Sequence, residues 1–165
     1  MRLPRRASGR LVAVIVVRVK TLWDAPAQAE LQSRMEGLGP DSRARWGRMT
    51  CPQMIVHVTD AFALYMGEMR AAGKRTPLQY PPLKQAFVYL LPIPKNVPTA
   101  PELIARKPGE WDAEIHRLRT TLATFCGQCT RLDWPLHPIF GRLSPRAYGV
   151  LAYKHTDHHL RQFGA

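Results

Sequence analysis

The segment SPRAYGVLAYKHTDHHLRQF, residues 144–163, decides the fold class of this protein. It opens with Ser144-Pro145, a typical helix-capping residue followed by proline at the first helical position. At 3.6 residues per turn, one stripe is apolar except for polar residues near its end. That stripe consists of Tyr148, Leu151, Ala152, His155, His159 and Gln162. It predicts an amphipathic helix that buries one face, as in an all-α protein.

Three further segments carry helix start signals. The first runs from about Pro26 to Leu38. The second begins at Thr50-Cys51-Pro52-Gln53, a T-x-x-Q capping box, and is predicted to continue to about Ala72. The third runs from about Glu110 to Cys126, with acidic residues in its first turn that favour the positive end of the helix dipole. The sequence therefore predicts four main helices.

A proline-rich stretch, Thr76–Pro108, separates the second and third predicted helices and holds eight of the fifteen prolines. Proline removes amide donors and restricts the residue before it, so this stretch cannot be one long helix. We expect a wrapped crossover with one short helix near Leu83–Leu91. Four helices with one long connection predict a four-helix bundle, and a chain of 165 residues favours a single domain.

The net charge of the chain is +12, and half of it lies at the N-terminus. Residues 1–20 contain six basic residues and no acidic one, whereas the other 145 residues contain 18 basic and 12 acidic residues. Residues 1–19 are therefore predicted to be a basic extension, and residues 20–165 the helical domain. The apolar run Leu11–Val17 in the extension is too short to span a membrane and lacks the cleavage site of a signal peptide. It favours a flexible or strand-like segment that does not belong to the helical core.

Cysteine usage favours a reducing compartment, and the protein is predicted to be cytoplasmic. The three cysteines, Cys51, Cys126 and Cys129, do not form the even set of a disulfide framework. Cys126 and Cys129 form a C-x-x-C at the C-terminal end of a predicted helix, whereas redox motifs of this kind lie at a helix N-terminus. We expect two thiols in the last turn and the following loop.

Three of the six histidines lie in Lys154–His159. His155 and His159 are about 40° apart around a helix and ~6 Å apart along it, so both rings can converge on one ion. His158 points about 100° away from His159. His57 lies on the apolar face of the second helix and is the candidate third ligand, since metals in helical bundles are held by facing helices. The residue pattern alone leaves open whether these are ligands or ordinary hydrogen-bonded imidazoles.

Other polar residues have weaker claims to the site. Gln162 lies one turn beyond His159 on the same stripe and is a candidate for orienting a ligand or substrate. Asp60 and Asp157 are candidates for holding an imidazole tautomer. His116 lacks a partner histidine and is expected on a helix, either at the surface or in the core, and His137 in a loop.

Beyond these patterns, the sequence resembles the DinB-like (DinB/YfiT) superfamily, in an uncharacterised branch that ends in HHLRQFG. The resemblance covers about Lys20 to the end, whereas residues 1–18 have no counterpart in it. Five motifs carry it: Arg45–Thr50 (RWGRMT), Gln53–His57 (QMIVH), Pro98–Leu103 (PTAPEL), His137–Gly141 (HPIFG) and Tyr153–Gly164 (YKHTDHHLRQFG).

The resemblance implies an up-down-down-up bundle and a three-histidine site that maps onto His57, His155 and His159. Several members of the superfamily are metal-dependent transferases or isomerases that use low-molecular-weight thiols such as bacillithiol or mycothiol. For this branch no reaction is implied, and a thiol-dependent S-transferase, isomerase or hydrolase is an expectation carried over from the superfamily. Three imidazoles leave open positions on one divalent ion, with zinc or nickel expected first and cobalt or iron as alternatives. The expected partners are a small-molecule substrate, the thiol and a second copy of the chain. Binding to a membrane is not expected.

Two other functions remain as alternatives. A non-catalytic metal-binding or stress-response protein is expected to close its site with a fourth protein ligand and to leave little pocket volume. Nucleic-acid binding through the basic charge is disfavoured, because the charge outside the N-terminal extension is scattered and forms no basic helix face.

Overall fold

A computed structural model of the protein describes residues 19–165. The predicted N-terminal extension with its Leu11–Val17 run lies outside the described residues, apart from Val19. Within residues 19–165 the protein is all-helical and contains no β-strand, which confirms the predicted all-α class. Its helices are α1 (Ala25–Glu36), α2 (Cys51–Met66), α3 (Leu83–Gln85), α4 (Trp111–Gly127) and α5 (Pro145–Gln162). None of the helices in this range is long and apolar enough to cross a membrane.

The predicted capping box of α2 is confirmed. Thr50 Oγ1 accepts a hydrogen bond from the Gln53 amide at 3.3 Å, and Gln53 Oε1 accepts one from the Thr50 amide at 2.9 Å. The predicted end of this helix near Ala72 is wrong. Gly67 adopts a left-handed conformation, with φ of 85°, and its amide bonds to the Leu64 carbonyl, so α2 ends at Met66.

The proline-rich crossover is irregular, and its predicted short helix is confirmed as α3, which continues as a π-helix over Ala86–Leu90. Lys154 of α5 fastens this segment. Its Nζ donates to the carbonyl oxygens of Phe87, Val88 and Leu91 at 2.6, 3.0 and 2.6 Å. A lysine that satisfies free carbonyls at a helix end stabilises that end, so the crossover is held directly against α5.

The core lies between the long helices, where α2 packs against α4 and α5 and α1 packs against α5. Aromatic rings fill one end of it. Trp23 stacks on Phe125 with 4.9 Å between ring centroids, and Trp134 stacks on Tyr148 with 4.7 Å. The Trp23 Nε1–H donates to the Pro145 carbonyl at 2.9 Å, so the indole has both its ring packed and its polar atom satisfied.

Gly149 allows this packing, because it lies inside α5 where the chain before α1 crosses the helix. The Leu22 amide donates to the Gly149 carbonyl at 3.0 Å. A Cβ at position 149 would overlap the Thr21 hydroxyl and the Trp23 indole. The absence of a side chain is therefore a packing requirement at this position.

Gly149→Ala is expected to lower the free energy of unfolding by roughly 1–3 kcal/mol, the usual effect of overpacking a core. Gly127→Ala is the matched control, because open space surrounds that position at the end of α4. The control is expected to be neutral or slightly stabilising. Urea unfolding of both variants measures the difference, and equal midpoints would contradict the packing role of Gly149.

Candidate metal centre

The three predicted ligand histidines converge between α2 and α5. His57 lies in the second turn of α2, and His155 and His159 lie one turn apart near the end of α5. Their ligand atoms all lie within 4.8 Å of one another, and the Nε2 atoms of His57 and His155 are 3.1 Å apart. Among residues 19–165, no other set of three or more His, Cys, Asp or Glu side chains forms such a cluster.

Hydrogen bonds hold the Nδ1 atoms of two of the three rings. His57 Nδ1–H donates to the Leu103 carbonyl at 3.2 Å, and His159 Nδ1–H donates to Gln162 Oε1 at 2.8 Å. In a neutral imidazole this tautomer leaves the lone pair on Nε2. The arrangement is typical of metal-ligating histidines, which donate their other ring N–H to a carbonyl or carboxylate.

Burial keeps these rings in the protonation state that a ligand needs. His57 and His159 are buried, and His155 is surrounded by protein atoms but keeps partial contact with solvent. Desolvation lowers the pKa of His57, lowers the pKa of His155 well below its usual range, and lowers the pKa of His159 to about 3. All three are therefore neutral at pH 7, with lone pairs available.

The three histidines could hold a metal ion. A tetrahedral ion with Zn–N bonds of about 2.0–2.1 Å holds its nitrogen ligands ~3.3 Å apart. The 3.1 Å separation of the His57 and His155 Nε2 atoms is close to this spacing. Three imidazole nitrogens suit zinc, nickel, cobalt or iron, whereas calcium and magnesium prefer oxygen.

Gln162 connects His159 to the loop before α2. Its Nε2–H donates to the Trp46 carbonyl at 2.9 Å while its Oε1 accepts from His159, so both ends of the side-chain amide are used. Gly47 has a φ of 81°, and a Cβ there would lie 2.6 Å from Gln162 Nε2. Gln162 therefore holds His159. The role of the Trp46-Gly47 turn did not emerge from the residue patterns, although a glycine after an aromatic residue in a loop is a weak signal of a tight turn.

The Leu103 carbonyl, which bonds to His57, lies in a segment that Arg106 holds in place through two ion pairs. Arg106 Nε donates to Asp60 Oδ1 at 3.1 Å, and its Nη1 donates to Glu114 Oε1 at 2.7 Å. Burial disfavours ionisation of Glu114, but the bonds from Arg106 and the Gly109 amide outweigh it and lower its pKa. These ion pairs join α2, the segment after Leu103 and the start of α4.

The hypothesis that Asp60 and Asp157 hold imidazole tautomers is wrong. Asp60 bonds to Arg106, and Asp157 bonds to Arg34 at 2.7 Å and to Arg161 at 3.0 Å. The charged guanidinium groups are stronger partners for these carboxylates than a neutral imidazole is. The tautomers are fixed instead by Leu103 and Gln162.

A cavity of about 880 Å³ adjoins the histidine cluster. The three histidines do not line it, but Leu103 and Gln162, which bond to two of them, do. His158 also lines it and lies edge-on to Trp46 with 5.8 Å between ring centroids. His158 therefore faces the cavity, whereas His155 and His159 face His57, as the helical geometry predicts.

The remaining histidines and the thiols lie elsewhere. His116 is exposed on α4, and His137 is buried in a loop, where its Nδ1 accepts from the Ile139 amide at 3.1 Å. Burial lowers the pKa of His137 to about 4. Cys126 lies in the last turn of α4 and Cys129 just beyond it, both as free thiols, which confirms the expectation from their spacing.

Comparisons of the chain with protein-family models, with curated proteins and with solved structures find no match. The resemblance to the DinB-like superfamily therefore stays a prediction.

Gln162→Ala is expected to weaken zinc binding about 10–100-fold, because His159 loses the acceptor that fixes its tautomer. Competition with a chromophoric chelator measures the Kd, and the ¹⁵N shifts of the His159 ring report the tautomer. Gln128→Ala is the matched control, since that amide bonds to Met66 and Arg131. Equal zinc affinities in both variants would remove Gln162 from the site.

His137 is expected to make stability fall on acidification. Its pKa of about 4 lies below the 6.5 of an unfolded histidine, so the unfolded chain takes up a proton first and stability declines as pH drops from 6.5 toward 4. Between pH 7 and 5 the wild type should lose roughly 2 kcal/mol more than His137→Asn. Urea unfolding measures this, with His116→Asn as the exposed control. A constant difference between wild type and His137→Asn would contradict the prediction.

Proposed function

We propose that the protein binds one divalent metal ion through His57, His155 and His159 and uses it as the centre of a metal-dependent enzyme. The observation that carries the proposal is the pair of oriented rings, in which Leu103 and Gln162 hold the Nδ1 protons of His57 and His159. Ordinary core histidines need only a partner for each polar atom. A metal ion requires in addition several ring nitrogens close to one another, and one ligand atom from each of the three histidines lies within 4.8 Å of the others.

The fold assignment belongs to the same proposal. The four long helices, the crossover between α2 and α4 and the inward-facing histidines together suit a four-helix bundle of the DinB-like type with an up-down-down-up order. Zinc or nickel is the expected ion.

An enzyme suits the site better than a storage or structural role. A structural zinc site normally has four protein ligands, whereas a catalytic site has three and an open position. Among the described residues, the cluster contains three ligands, and a cavity of about 880 Å³ lies beside it. This volume falls in the range of small-molecule sites.

The chemistry follows from the open position. A zinc or nickel ion held here supplies Lewis acidity, which turns water or a thiol into a nucleophile near neutral pH. The chain contributes the rest: Leu103 and Gln162 fix the ligand rings, and the cavity holds the second reactant beside them. A low-molecular-weight thiol and an S-transferase, isomerase or hydrolase reaction rest on the family resemblance. The homodimer and the cytoplasmic location stay predictions.

Metal analysis tests the proposal directly. The purified protein, reconstituted with zinc or nickel and then desalted, should contain about one ion per chain. His155→Ala should contain less than a tenth of that amount, because two imidazoles rarely hold an ion against a chelator. His116→Ala, an exposed histidine on α4, is the control and should retain the full amount. Wild-type protein that stays metal-free after reconstitution would overturn the proposal.

The catalytic half needs its own test. Zinc-loaded and nickel-loaded protein should catalyse addition or transfer of a bacillithiol-like or mycothiol-like thiol to electrophilic substrates. The activity should disappear in His155→Ala and persist in His116→Ala. Stoichiometric metal without any thiol-dependent or hydrolytic turnover would favour the non-catalytic alternative.

A further inference from the structure

The charged side chains that line the cavity are all positive. Its lining includes three cationic side chains, Arg48, Arg106 and Lys107, and no aspartate or glutamate. Arg48 and Lys107 are exposed at its rim, and neither has an ion-pair partner among residues 19–165. Lys95 does not line the cavity, but its ammonium group lies 4.3 Å from the centre of the ring of Trp46, which does.

Arg106 is held in place at the cavity wall. Asp60 and Glu114 bind its Nε and Nη1 atoms from behind, whereas its Nη2 is buried without a hydrogen-bond partner. These two carboxylates do not line the cavity. They offset part of the positive charge, but the three cationic residues of the lining outnumber these two carboxylates.

Most of the remaining wall is apolar. Trp46, Val97, Leu103 and Ile104 supply apolar surface close to the cationic groups. Sites of this size bind a ligand mainly through apolar walls, and a few polar groups fix its orientation. A ligand that complements this cavity therefore has an apolar body and an anionic group.

We propose that the cavity binds a small organic anion, whose carboxylate or phosphate group pairs with Arg48 and Lys107 and whose apolar body packs against Trp46 and Leu103. Guanidinium and ammonium groups are the usual partners of both anionic groups. Leu103 and Gln162 place this ligand next to the histidine cluster. That the bound anion is the substrate rests on the proposed function, whereas its binding does not.

A matched set of probes tests the charge preference. Calorimetric titration compares 3-phenylpropanoate and phenyl phosphate with 3-phenylpropylamine, 3-phenylpropanol and inorganic phosphate. The two organic anions should bind at least ten times more tightly than the amine and the alcohol. Inorganic phosphate should bind more weakly than phenyl phosphate, because it lacks the apolar body. An amine or alcohol that binds as tightly as the anions would overturn the proposal.

Paired double variants test the location. Arg48→Gln with Lys107→Gln should weaken anion binding at least tenfold and leave alcohol binding unchanged. Arg119→Gln with Arg146→Gln removes the same charge from exposed positions that do not line the cavity, and should leave the Kd within twofold at 0.15 M salt. Equal weakening by both double variants would mean that net charge alone attracts the anion, which would overturn the assigned site.

The anion site and the metal site are separable in one further variant. His155→Ala should still bind 3-phenylpropanoate, because the cationic groups of the cavity are intact. If the wild type proves metal-free but binds the anion, the cavity proposal stands and the metal proposal fails. Loss of anion binding in His155→Ala would show that the histidine cluster, rather than Arg48 and Lys107, holds the anion.

Discussion

Burying three imidazole rings between α2 and α5 costs free energy unless their polar atoms have partners, and much of the surrounding structure meets this constraint. The Leu103 carbonyl satisfies His57, and the Gln162 amide satisfies His159. Each of these groups is itself held in place. Leu103 lies in the segment that Arg106 binds to Asp60, and Gln162 donates a hydrogen bond to the Trp46 carbonyl. The loop before α2 and the crossover before α4 are thereby joined to the site.

The crossover is a largely irregular segment that contacts from the long helices hold in place. Its prolines restrict the backbone before folding, so less entropy is lost when it is ordered. Lys154 fastens its π-helix to α5, and Arg106 fastens its end to α2 and α4. A segment held at both ends is preorganised, which reduces the cost of ordering it around a small molecule.

Local sequence patterns predicted where the helices begin, whereas contacts between residues far apart in the sequence determine how the site is held together. Capping residues located the starts of α2 and α5, and the helical period selected His155 and His159 over His158. The Gln162–Trp46 bond joins residues 116 apart in sequence, and the His57–Leu103 bond joins residues 46 apart. The periodicity of apolar residues along a helix does not indicate which distant residues form such bonds. The end of α2 was missed because Gly67, rather than Gly73, takes the left-handed conformation.

Leu103 adjoins both the histidine cluster and the cavity. Its carbonyl accepts a hydrogen bond from His57, and the residue lines the cavity. A ligand in the proposed cavity site and an ion in the proposed metal site would therefore share one residue, which the ligand would contact directly and the ion through His57. Thermodynamic linkage requires that if a guest in the cavity changes the affinity of the cluster by some factor, the cluster changes the affinity for that guest by the same factor. Leu103 is therefore the residue through which the two proposed sites would influence each other.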